Sequence, residues 1–466
     1  MYEYNIERKS IGVKEVGNKV WPKIIYGKKV GESRIPLETS EPDSNPIVIF
    51  KEPETQNEFG INKDRLSLGW LSLGAPGSGK TNQLNIIVDK LIGTMNSKDV
   101  LIIFDTKGDY YREFGNRIPE EFKYVIGNNE EYKDVTSYHN IFAEIMPRGA
   151  YGELIYTEEC DIDALEIASA LFENMQSEHQ PIFPSMSEQI VAAVIIYFMR
   201  TYWKNNQKML NNKEFIKFFQ TATNEDLITI FNKDYMKDQK KCTSYIGIKG
   251  VQSQGVDSYI ASALKKIFIG AFAKSDSHRE ISMRELINSS EKAVVFIEYD
   301  LIRGNTLGPI YKILIDQALK YALGGRAEKR KDTYIVIDEW ALLPKLKHMA
   351  ASLSFGRSQG VKLLAGLQNI SAIEEIYGEA GAKNILAGFQ NIICFNVSDY
   401  NTRQFVINRL GVNYENISFS AQNNSINVQR EGHCVEEWVL LDLKRGMAVV
   451  SLAEKSPFLF SFPKYN

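Results

Sequence analysis

The feature that most constrains the fold of this chain is a glycine-rich run at residues 71–81, with the sequence LSLGAPGSGKT. It matches the pattern G-x-x-x-x-G-K-[ST], the P-loop pattern, from Gly74 to Thr81. An apolar segment typical of a buried strand precedes the run, and residues 82–93 have a helical pattern. This context predicts a strand, a loop and a helix in that order, and it argues against a glycine turn that matches by chance.

A loop of this kind binds the phosphates of a nucleoside triphosphate. Its backbone N–H groups surround the phosphate oxygens, and the N-terminus of the following helix adds a partial positive charge. In the pattern, Lys80 reaches the β- and γ-phosphates, and the Thr81 hydroxyl ligates Mg²⁺. The residues predicted to bind the nucleotide are Gly74, Ala75, Pro76, Gly77, Ser78, Gly79, Lys80, Thr81 and Asn82.

A P-loop site also needs a carboxylate for the metal and a group that positions water. Two apolar runs end in an aspartate, Asp105 in IIFDTKGD and Asp338 in YIVIDEW. Asp338 is the better candidate because it can hold the metal through water while adjacent Glu339 orients or deprotonates the attacking water. One strand end then supplies both groups, and the alternative of a solvated Asp-Glu pair is disfavoured once the P-loop is accepted.

Three more residues are candidates for the hydrolytic site. Gln368 ends the next apolar run, KLLAGLQN, where a strand-end amide beside the γ-phosphate can sense hydrolysis; a turn residue is the alternative. Arg357, in FGRSQG, is a candidate arginine finger for the site of a neighbouring subunit, and a surface salt bridge is the alternative. Arg403 is a second candidate for the same role.

Six apolar runs have the composition of buried parallel strands. They are residues 68–73, 100–104, 293–297, 334–338, 361–365 and 391–396. Helical stretches separate most of them, and this alternation predicts an α/β fold with a mostly parallel sheet and helices on both faces. Residues 20–26 and 46–51 are strand-like between turn formers, so we expect a short β-rich segment before the sheet.

One interval breaks the alternation, because the patterns between Phe104 and Ala293 are mostly helical. About 130 helical residues between two strands of one sheet predict a separate α-helical domain. We therefore expect three parts. They are a β-rich N-terminal segment at 1–66, a nucleotide-binding domain at 67–145 and 291–466, and an all-α inserted domain at 146–290.

Composition limits the remaining possibilities. A net charge of −3 gives no global indication of nucleic-acid binding, so any DNA-binding surface must be local. The four scattered cysteines, without a CxxC pair, predict reduced thiols rather than a disulfide frame or zinc site. The first residues do not have the pattern of a signal peptide.

The longest apolar run, residues 190–199, is shorter than the about 20 residues that a membrane-spanning helix needs. Ser185 and Glu188 have the spacing of a capping box just before it. We therefore expect a buried core helix and no membrane anchor.

In combination, these motifs resemble the type IV secretion coupling proteins, the TraG/TraD group within the HerA/FtsK superfamily of P-loop ATPases. The resemblance runs from about residue 60 to the end, through GAPGSGKT, IFDTKGD, a helical insert, VIDEW, GRSQGVKLLAGLQNI and ILAGFQNIICF. It implies a RecA-like core and an all-α domain over one mouth of a homo-hexameric ring. It also implies ATP as the nucleotide, with Mg²⁺.

The resemblance assigns roles residue by residue. The assignments are Lys80 and Thr81 for Walker A, Asp338 and Glu339 for Walker B, Gln368 for the motif-III glutamine, and Arg357 for the arginine-finger-like position. Residues 105–109 fall on the family's acidic and lysine motif after its second strand, for which we infer no role.

The function that the resemblance implies is an ATPase that brings relaxase-bound single-stranded DNA to a secretion channel in conjugation. Its partners would be DNA, the relaxase and channel proteins. Family members usually begin with two transmembrane helices, whereas this sequence has none. We therefore expect a cytoplasmic protein that reaches the inner face of the membrane through a separate partner.

Two other functions stay open at this point. One is a HerA/FtsK-like translocase in DNA processing or anti-phage defence, or an ATPase for pilus assembly. The other is a nucleotide-switched platform whose helical domain recruits proteins. Cations lining a pore would favour a motor over a platform. The candidates are Lys249, Lys265, Lys266 and Arg303, and solvated surface charges are the alternative.

Overall fold

The structure is a computed structural model. It describes residues 23–27, 45–55, 57–173, 182–205, 210–247, 251–273, 279–324, 331–421 and 424–465. The strands are β1 Lys23–Gly27, β2 Val48–Lys51, β3 Glu58–Ile61, β4 Trp70–Leu73, β5 Val100–Asp105, β6 Lys123–Ile126, β7 Tyr138–His139, β8 Glu280–Ile281, β9 Ala293–Glu298, β10 Thr333–Ile337, β11 Val361–Leu367, β12 Asn391–Cys394, β13 Val412–Ala421, β14 Asn424–His433, β15 Met447–Ser451 and β16 Phe458–Ser461.

The helices fall into three groups along the chain. Those before the helical insert are α1 Lys63–Leu66, α2 Lys80–Thr94 and α3 Asp109–Phe114. Those between β7 and β9 are α4 Ile141–Ile145, α5 Glu159–Phe172, α6 Ile182–Asn205, α7 Asn212–Thr221, α8 Asn224–Phe231, α9 Thr243–Ile246, α10 Val251–Ile267 and α11 Met283–Asn288. The remainder are α12 Gly304–Leu323, α13 Met349–Phe355, α14 Ser371–Tyr377, α15 Glu379–Gly388, α16 Tyr400–Leu410 and α17 Glu437–Asp442.

A nine-stranded sheet organises the fold, in the order β16-β15-β12-β4-β11-β10-β5-β9-β6. Neighbouring strands from β12 to β6 are parallel, and β15 and β16 extend the sheet in the antiparallel sense. The six apolar runs predicted as strands all lie in this sheet, as β4, β5, β9, β10, β11 and β12. The predicted α/β fold with a mostly parallel sheet is therefore confirmed, while β6 was not predicted.

Successive side chains of a strand point to opposite faces of the sheet. Since the strands are apolar at successive positions, each face packs against its own apolar cluster. Leu71 and Ile102 lie in one buried cluster, and Trp70 and Leu101 lie in the other. The first cluster continues without a break into the helices of the insert, for example at Ile190. The limits of an inserted domain at 146–290 stay a prediction. No disulfide joins the four cysteines, all of which are described and buried.

Helix α6 differs from its prediction. It begins at Ile182, so Ser185 and Glu188 lie inside the helix and the predicted capping box is wrong. Pro184 explains the earlier start, since a proline fits the first turn of a helix, where its missing N–H costs nothing. Glu188 instead makes a side-chain hydrogen bond with Ser169.

The earlier start of α6 also removes the length argument against a membrane span. In the described part of the chain, Ile182–Tyr202 is long and apolar enough to cross a membrane by length and composition alone. Just over half of its apolar window, 56%, is buried inside the fold, and residues 190–196 are almost fully covered by protein. The burial fits the predicted core helix.

A long hairpin at the C-terminal side was not predicted. Strands β13 and β14 pair antiparallel over ten residues each, and β1 adds to the outer edge of β13. The described part of the strand-like run at 20–26, from Lys23 onwards, thus pairs with a strand nearly 400 positions away, counted from Lys23 opposite Asn416. Strand β2 pairs with β3, and this hairpin packs on the same face of the sheet as α2.

Candidate active site

The glycine-rich loop lies at the carboxyl edge of the sheet, between β4 and α2. Neighbouring strand ends hold its backbone, because Gly74 N–H donates to the Leu367 carbonyl and Ala75 N–H to the Asn396 carbonyl, at 3.1 and 2.8 Å. Gly77 and Gly79 have φ values of 73° and 129°, a region that side chains disfavour. The pattern therefore requires glycine at these two positions for backbone reasons.

Lys80 begins α2 and is buried. Its Nζ donates to the Gly74 carbonyl at 2.6 Å and to the Ala75 carbonyl at 3.4 Å, so the ammonium is folded back across the loop. Burial lowers the pKa of Lys80, and the carboxylates of Glu339 and Asp338 oppose this effect. The ammonium is thus held against the loop backbone, within electrostatic reach of both carboxylates.

Asp338 follows β10 and is buried at the same edge. Thr81 Oγ1 donates to its Oδ1 at 3.0 Å, which brings together the two residues predicted as metal ligands. Tyr110 OH donates to the same oxygen at 3.2 Å, and Thr106 Oγ1 donates to Oδ2 at 3.1 Å. Three hydroxyl groups from separate positions therefore converge on one carboxylate.

Glu339 and Gln368 are also brought together. Gln368 Nε2 donates to Glu339 Oε2 at 2.7 Å, across the ends of the neighbouring strands β10 and β11. Burial raises the pKa of Glu339, and the Gln368 hydrogen bond opposes that shift. A carboxylate with a raised pKa and an amide partner is suited to accept a proton from water.

Two buried oxygens near the loop have no hydrogen-bond partner among the described residues, namely Ser78 Oγ and Glu339 Oε1. Buried polar atoms are rarely left unpaired in folded proteins, and a ligand or water commonly completes them. Together with the Thr81–Asp338 oxygen pair, they form a donor set that suits Mg²⁺, a phosphate and an ordered water. The residues present therefore fit a magnesium nucleotide.

Asp105, the alternative metal carboxylate, is engaged elsewhere. Its Oδ1 accepts from the backbone N–H groups of Lys107 and Gly108, and its Oδ2 from those of Tyr110 and Tyr111, at 2.8 to 3.2 Å. Burial raises its pKa to about 6 despite these hydrogen bonds. The geometry uses Asp105 to cap the start of α3 and leaves Asp338 beside Thr81.

Residues 59–457 match the sequence profile of a family described as the type IV secretion-system coupling protein DNA-binding domain. The chain belongs to this family. The match confirms the resemblance that the motifs indicated. A comparison with curated protein sequences gave no match.

Solved structures of coupling proteins have the same fold. The unbound bacterial conjugative coupling protein TrwBΔN70 superposes with a TM-score of 0.75 at 16% identity, covering 97% of this chain and 96% of that one. Plasmid coupling protein TrwB in complex with ADP and Mg²⁺ gives 0.68 at 16% identity, with the same coverage. A structure under another name, VirB4 of Thermoanaerobacter pseudethanolicus, superposes with a TM-score of 0.53 at 11% identity, covering 91% of this chain and 98% of that one.

The two candidate arginines of this coupling protein have different surroundings. Arg357 lies before β11, at the amino edge of the sheet, and its exposed guanidinium has no charged or hydrogen-bonding partner among the described residues. The length of β11, roughly 20 Å at about 3.3 Å per residue, separates Arg357 from the loop of its own subunit. Arg403 donates through Nε to Glu437 at 2.8 Å and also contacts the Ser398 carbonyl.

Three of the four candidate pore cations lie among the described residues, and all three are exposed. Lys265 and Lys266 lie exposed in the last turn of α10, and Arg303 lies exposed just before α12. Lys249 lies outside the described residues. Their contribution to DNA binding stays a prediction.

Sequence reasoning missed the hydroxyl partners of Asp338 and a buried acid at the end of β9. Glu298 is 2% exposed, pairs in register with Asp105 of β5, and accepts a hydrogen bond from Tyr132 OH at 2.8 Å. Burial, with the nearby Asp105 charge, raises the pKa of Glu298 to about 9. An apolar run that ends in an acid, as AVVFIE does, is the sequence signal that could have found this position.

We predict that Glu298→Gln changes the pH dependence of stability. A folded-state pKa raised from 4.5 to about 9 means that the native state loses stability as pH rises through this window. Glutamine stays neutral and its amide oxygen still accepts from Tyr132. Relative to wild type, the free energy of unfolding of the variant should therefore increase between pH 5 and 9 by up to about 1.4 kcal/mol per pH unit, and its unfolding temperature should rise accordingly.

The exposed acid Glu121 provides the control, because Glu121→Gln should leave the pH dependence of the melting temperature unchanged. Thermal unfolding followed by circular dichroism across this pH range makes the measurement. A difference between Glu298→Gln and wild type that stays constant with pH would show that Glu298 is ionised in the native state.

Proposed function

We propose that this coupling protein is an ATPase that moves single-stranded DNA towards a type IV secretion channel during conjugation. The observation that supports this most is the convergence of Lys80, Thr81, Asp338, Glu339 and Gln368 at one edge of the sheet. That set contains a cation that binds the phosphates, a carboxylate that binds the metal, and a general base with its amide partner. These are the groups that P-loop hydrolysis requires.

Thr81 and Asp338 are the residues that would hold Mg²⁺, and residues 74–82 would hold the phosphates of ATP. Support comes from the coupling protein TrwB, which has been solved with ADP and Mg²⁺ and with a non-hydrolysable ATP analogue. When bound, Mg²⁺ neutralises charge that develops on the phosphate oxygens. Lys80, folded across the loop at present, would exchange its bonds to the Gly74 and Ala75 carbonyls for phosphate oxygens.

Glu339 is the proposed general base. Its Oε2 accepts a hydrogen bond from Gln368, whereas its buried Oε1 has no hydrogen-bond partner among the described residues. Through Oε1 it would orient and deprotonate a water molecule. Gln368 holds the carboxylate in this orientation. If loss of the γ-phosphate moves Glu339, the hydrogen bond would also move Gln368 and the end of β11. Hydrolysis would in this way change the position of the strand.

Arg357 is proposed to act on the site of a neighbouring subunit. It is exposed, unpaired among the described residues, and separated by the length of β11 from its own loop, so it cannot serve its own site. We propose a homo-hexameric ring, in which each subunit would supply its Arg357 to the nucleotide site of its neighbour. Arg403 is already engaged by Glu437 and is the less suitable finger.

The partners we propose are single-stranded DNA, a relaxase and the proteins of a secretion channel. The proposed location is the cytoplasm, at the inner face of the cell membrane through a separate membrane partner. The family match over residues 59–457 favours conjugative coupling over DNA processing, pilus assembly or a recruitment platform. We also propose that DNA raises the rate of ATP hydrolysis.

We predict that single-stranded DNA accelerates ATP hydrolysis by the purified protein, and that Lys80→Ala abolishes hydrolysis with or without DNA. The lysine supplies charge to the phosphates, so its loss removes both binding and catalysis. Phosphate release measured with and without DNA provides the test. A rate of hydrolysis that is the same with and without DNA would contradict the proposed DNA-moving function. It would favour a recruitment platform or an ATPase for pilus assembly.

We predict that Arg357→Ala reduces hydrolysis by about 10³-fold or more, as expected for loss of an arginine finger. Mixing it with Lys80→Ala should restore activity, because mixed oligomers pair an intact loop with an intact Arg357. Arg403→Ala is the matched control and should keep most activity, since Arg403 pairs within its own subunit. Failure of every mixing ratio to restore phosphate release would contradict action between subunits.

A further inference from the structure

The metal-binding carboxylate proposed above is surrounded by more hydroxyl groups than the P-loop itself supplies. Only one of its three donors, Thr81, belongs to that loop. Thr106 follows β5, within the motif at 105–109 that was left without a role, and Tyr110 lies in the first turn of α3. One segment, residues 105–111, thus contacts both oxygens of Asp338. It runs from the last residue of β5 into the first turn of α3, and we call it the β5–α3 loop.

The β5–α3 loop has little freedom to move. Four of its backbone N–H groups donate to the carboxylate of Asp105, which is itself fully buried at the end of β5. Gly108 has a φ of 71° and lies under the Tyr132 hydroxyl, where an added Cβ would come within 2.7 Å. A turn closed in this way fixes the residues on both sides of it, Thr106 and Tyr110.

Tyr110 itself is completely buried. Its ring lies in the apolar cluster on one face of the sheet, 6.4 Å from the ring of Phe114, and only its hydroxyl reaches Asp338. The hydroxyl groups of Tyr110 and Thr106 both donate to the Asp338 carboxylate, one to each oxygen.

The hydrogen bonds have a direct consequence for metal binding. A carboxylate that binds Mg²⁺ must be correctly turned, and hydrogen bonds from fixed donors hold its orientation. The backbone also contributes, since Asp338 N–H donates to the Phe104 carbonyl, the residue just before Asp105, at 3.3 Å. Strand β5 and its loop therefore hold both the main chain and the side chain of Asp338.

We propose that the β5–α3 loop is a positioning element for magnesium binding, with Tyr110 and Thr106 as the residues that orient Asp338 and Asp105 as the residue that rigidifies the loop. This inference rests on the proposed function of the site. It extends that function to three residues that act through Asp338 rather than as ligands themselves. A purely structural role, in which the loop only begins α3, is the competing explanation.

The test uses nucleotide binding rather than hydrolysis. Binding of a fluorescent ADP analogue is titrated with Mg²⁺ and, separately, in excess EDTA, for wild type and Tyr110→Phe. The variant should need about 10-fold or more Mg²⁺ for half-maximal enhancement, the usual scale for loss of a partner to a metal ligand. Its affinity for metal-free ADP should match wild type, because Tyr110 does not contact the P-loop backbone.

Tyr132→Phe is the matched control. It also removes a buried tyrosine hydroxyl at the same edge, but one that donates to Glu298 rather than to Asp338. Its Mg²⁺ requirement should equal that of wild type. Equal Mg²⁺ requirements for Tyr110→Phe and wild type would overturn the proposal and leave the loop a structural role only.

A second pair of variants covers the case in which Tyr110→Phe does not fold. Thr106→Val removes the other hydrogen bond and keeps the side-chain shape, and Thr106→Ser restores the hydroxyl. A raised Mg²⁺ requirement in Thr106→Val that Thr106→Ser reverses supports the proposal, and no difference between them overturns it. If wild type itself shows no Mg²⁺-dependent binding, the proposed function fails before the loop is tested.

Discussion

The parallel pairing of β4, β11, β10 and β5 is the constraint on which the rest of the structure depends. Their carboxyl ends meet at one edge, so the residues that follow each strand become neighbours without being close in sequence. The close approach of β11 to β10 is visible at Gly366, where an added Cβ would lie 2.1 Å from the Asp338 carbonyl. Any larger residue there would displace the strand end that bears Asp338 and Glu339.

Much of this arrangement was predictable from the sequence. Six short apolar runs were enough to place six strands in one sheet, because strands buried on both faces need apolar side chains throughout. The motif from Gly74 to Thr81 fixed the loop, and the polar residues directly after apolar runs indicated Asp338 and Gln368. Their proximity then follows from parallel pairing alone, which is why Thr81 meets Asp338 and Gln368 meets Glu339.

Other features depend on contacts that a local pattern does not encode. The role of Asp105 as an acceptor for four amides is set by the turn that follows it, and its residue type alone equally suits a metal ligand. Tyr110 looks like an ordinary core residue until its hydroxyl is seen at Asp338. The pairing of β1 with β13 likewise depends on tertiary packing, and the early start of α6 at Ile182 depends on the fixed backbone of Pro184.

The central claim is that Glu339, held by Gln368, is the base that activates water at a P-loop site. Glu339→Gln tests it most directly, because it removes the proton acceptor and keeps the shape and hydrogen-bonding capacity. The account predicts that ATP still binds with the wild-type affinity, while hydrolysis in a single turnover falls by about 10²- to 10⁴-fold. Hydrolysis that stays close to the wild-type rate in this variant would contradict the claim and require another base.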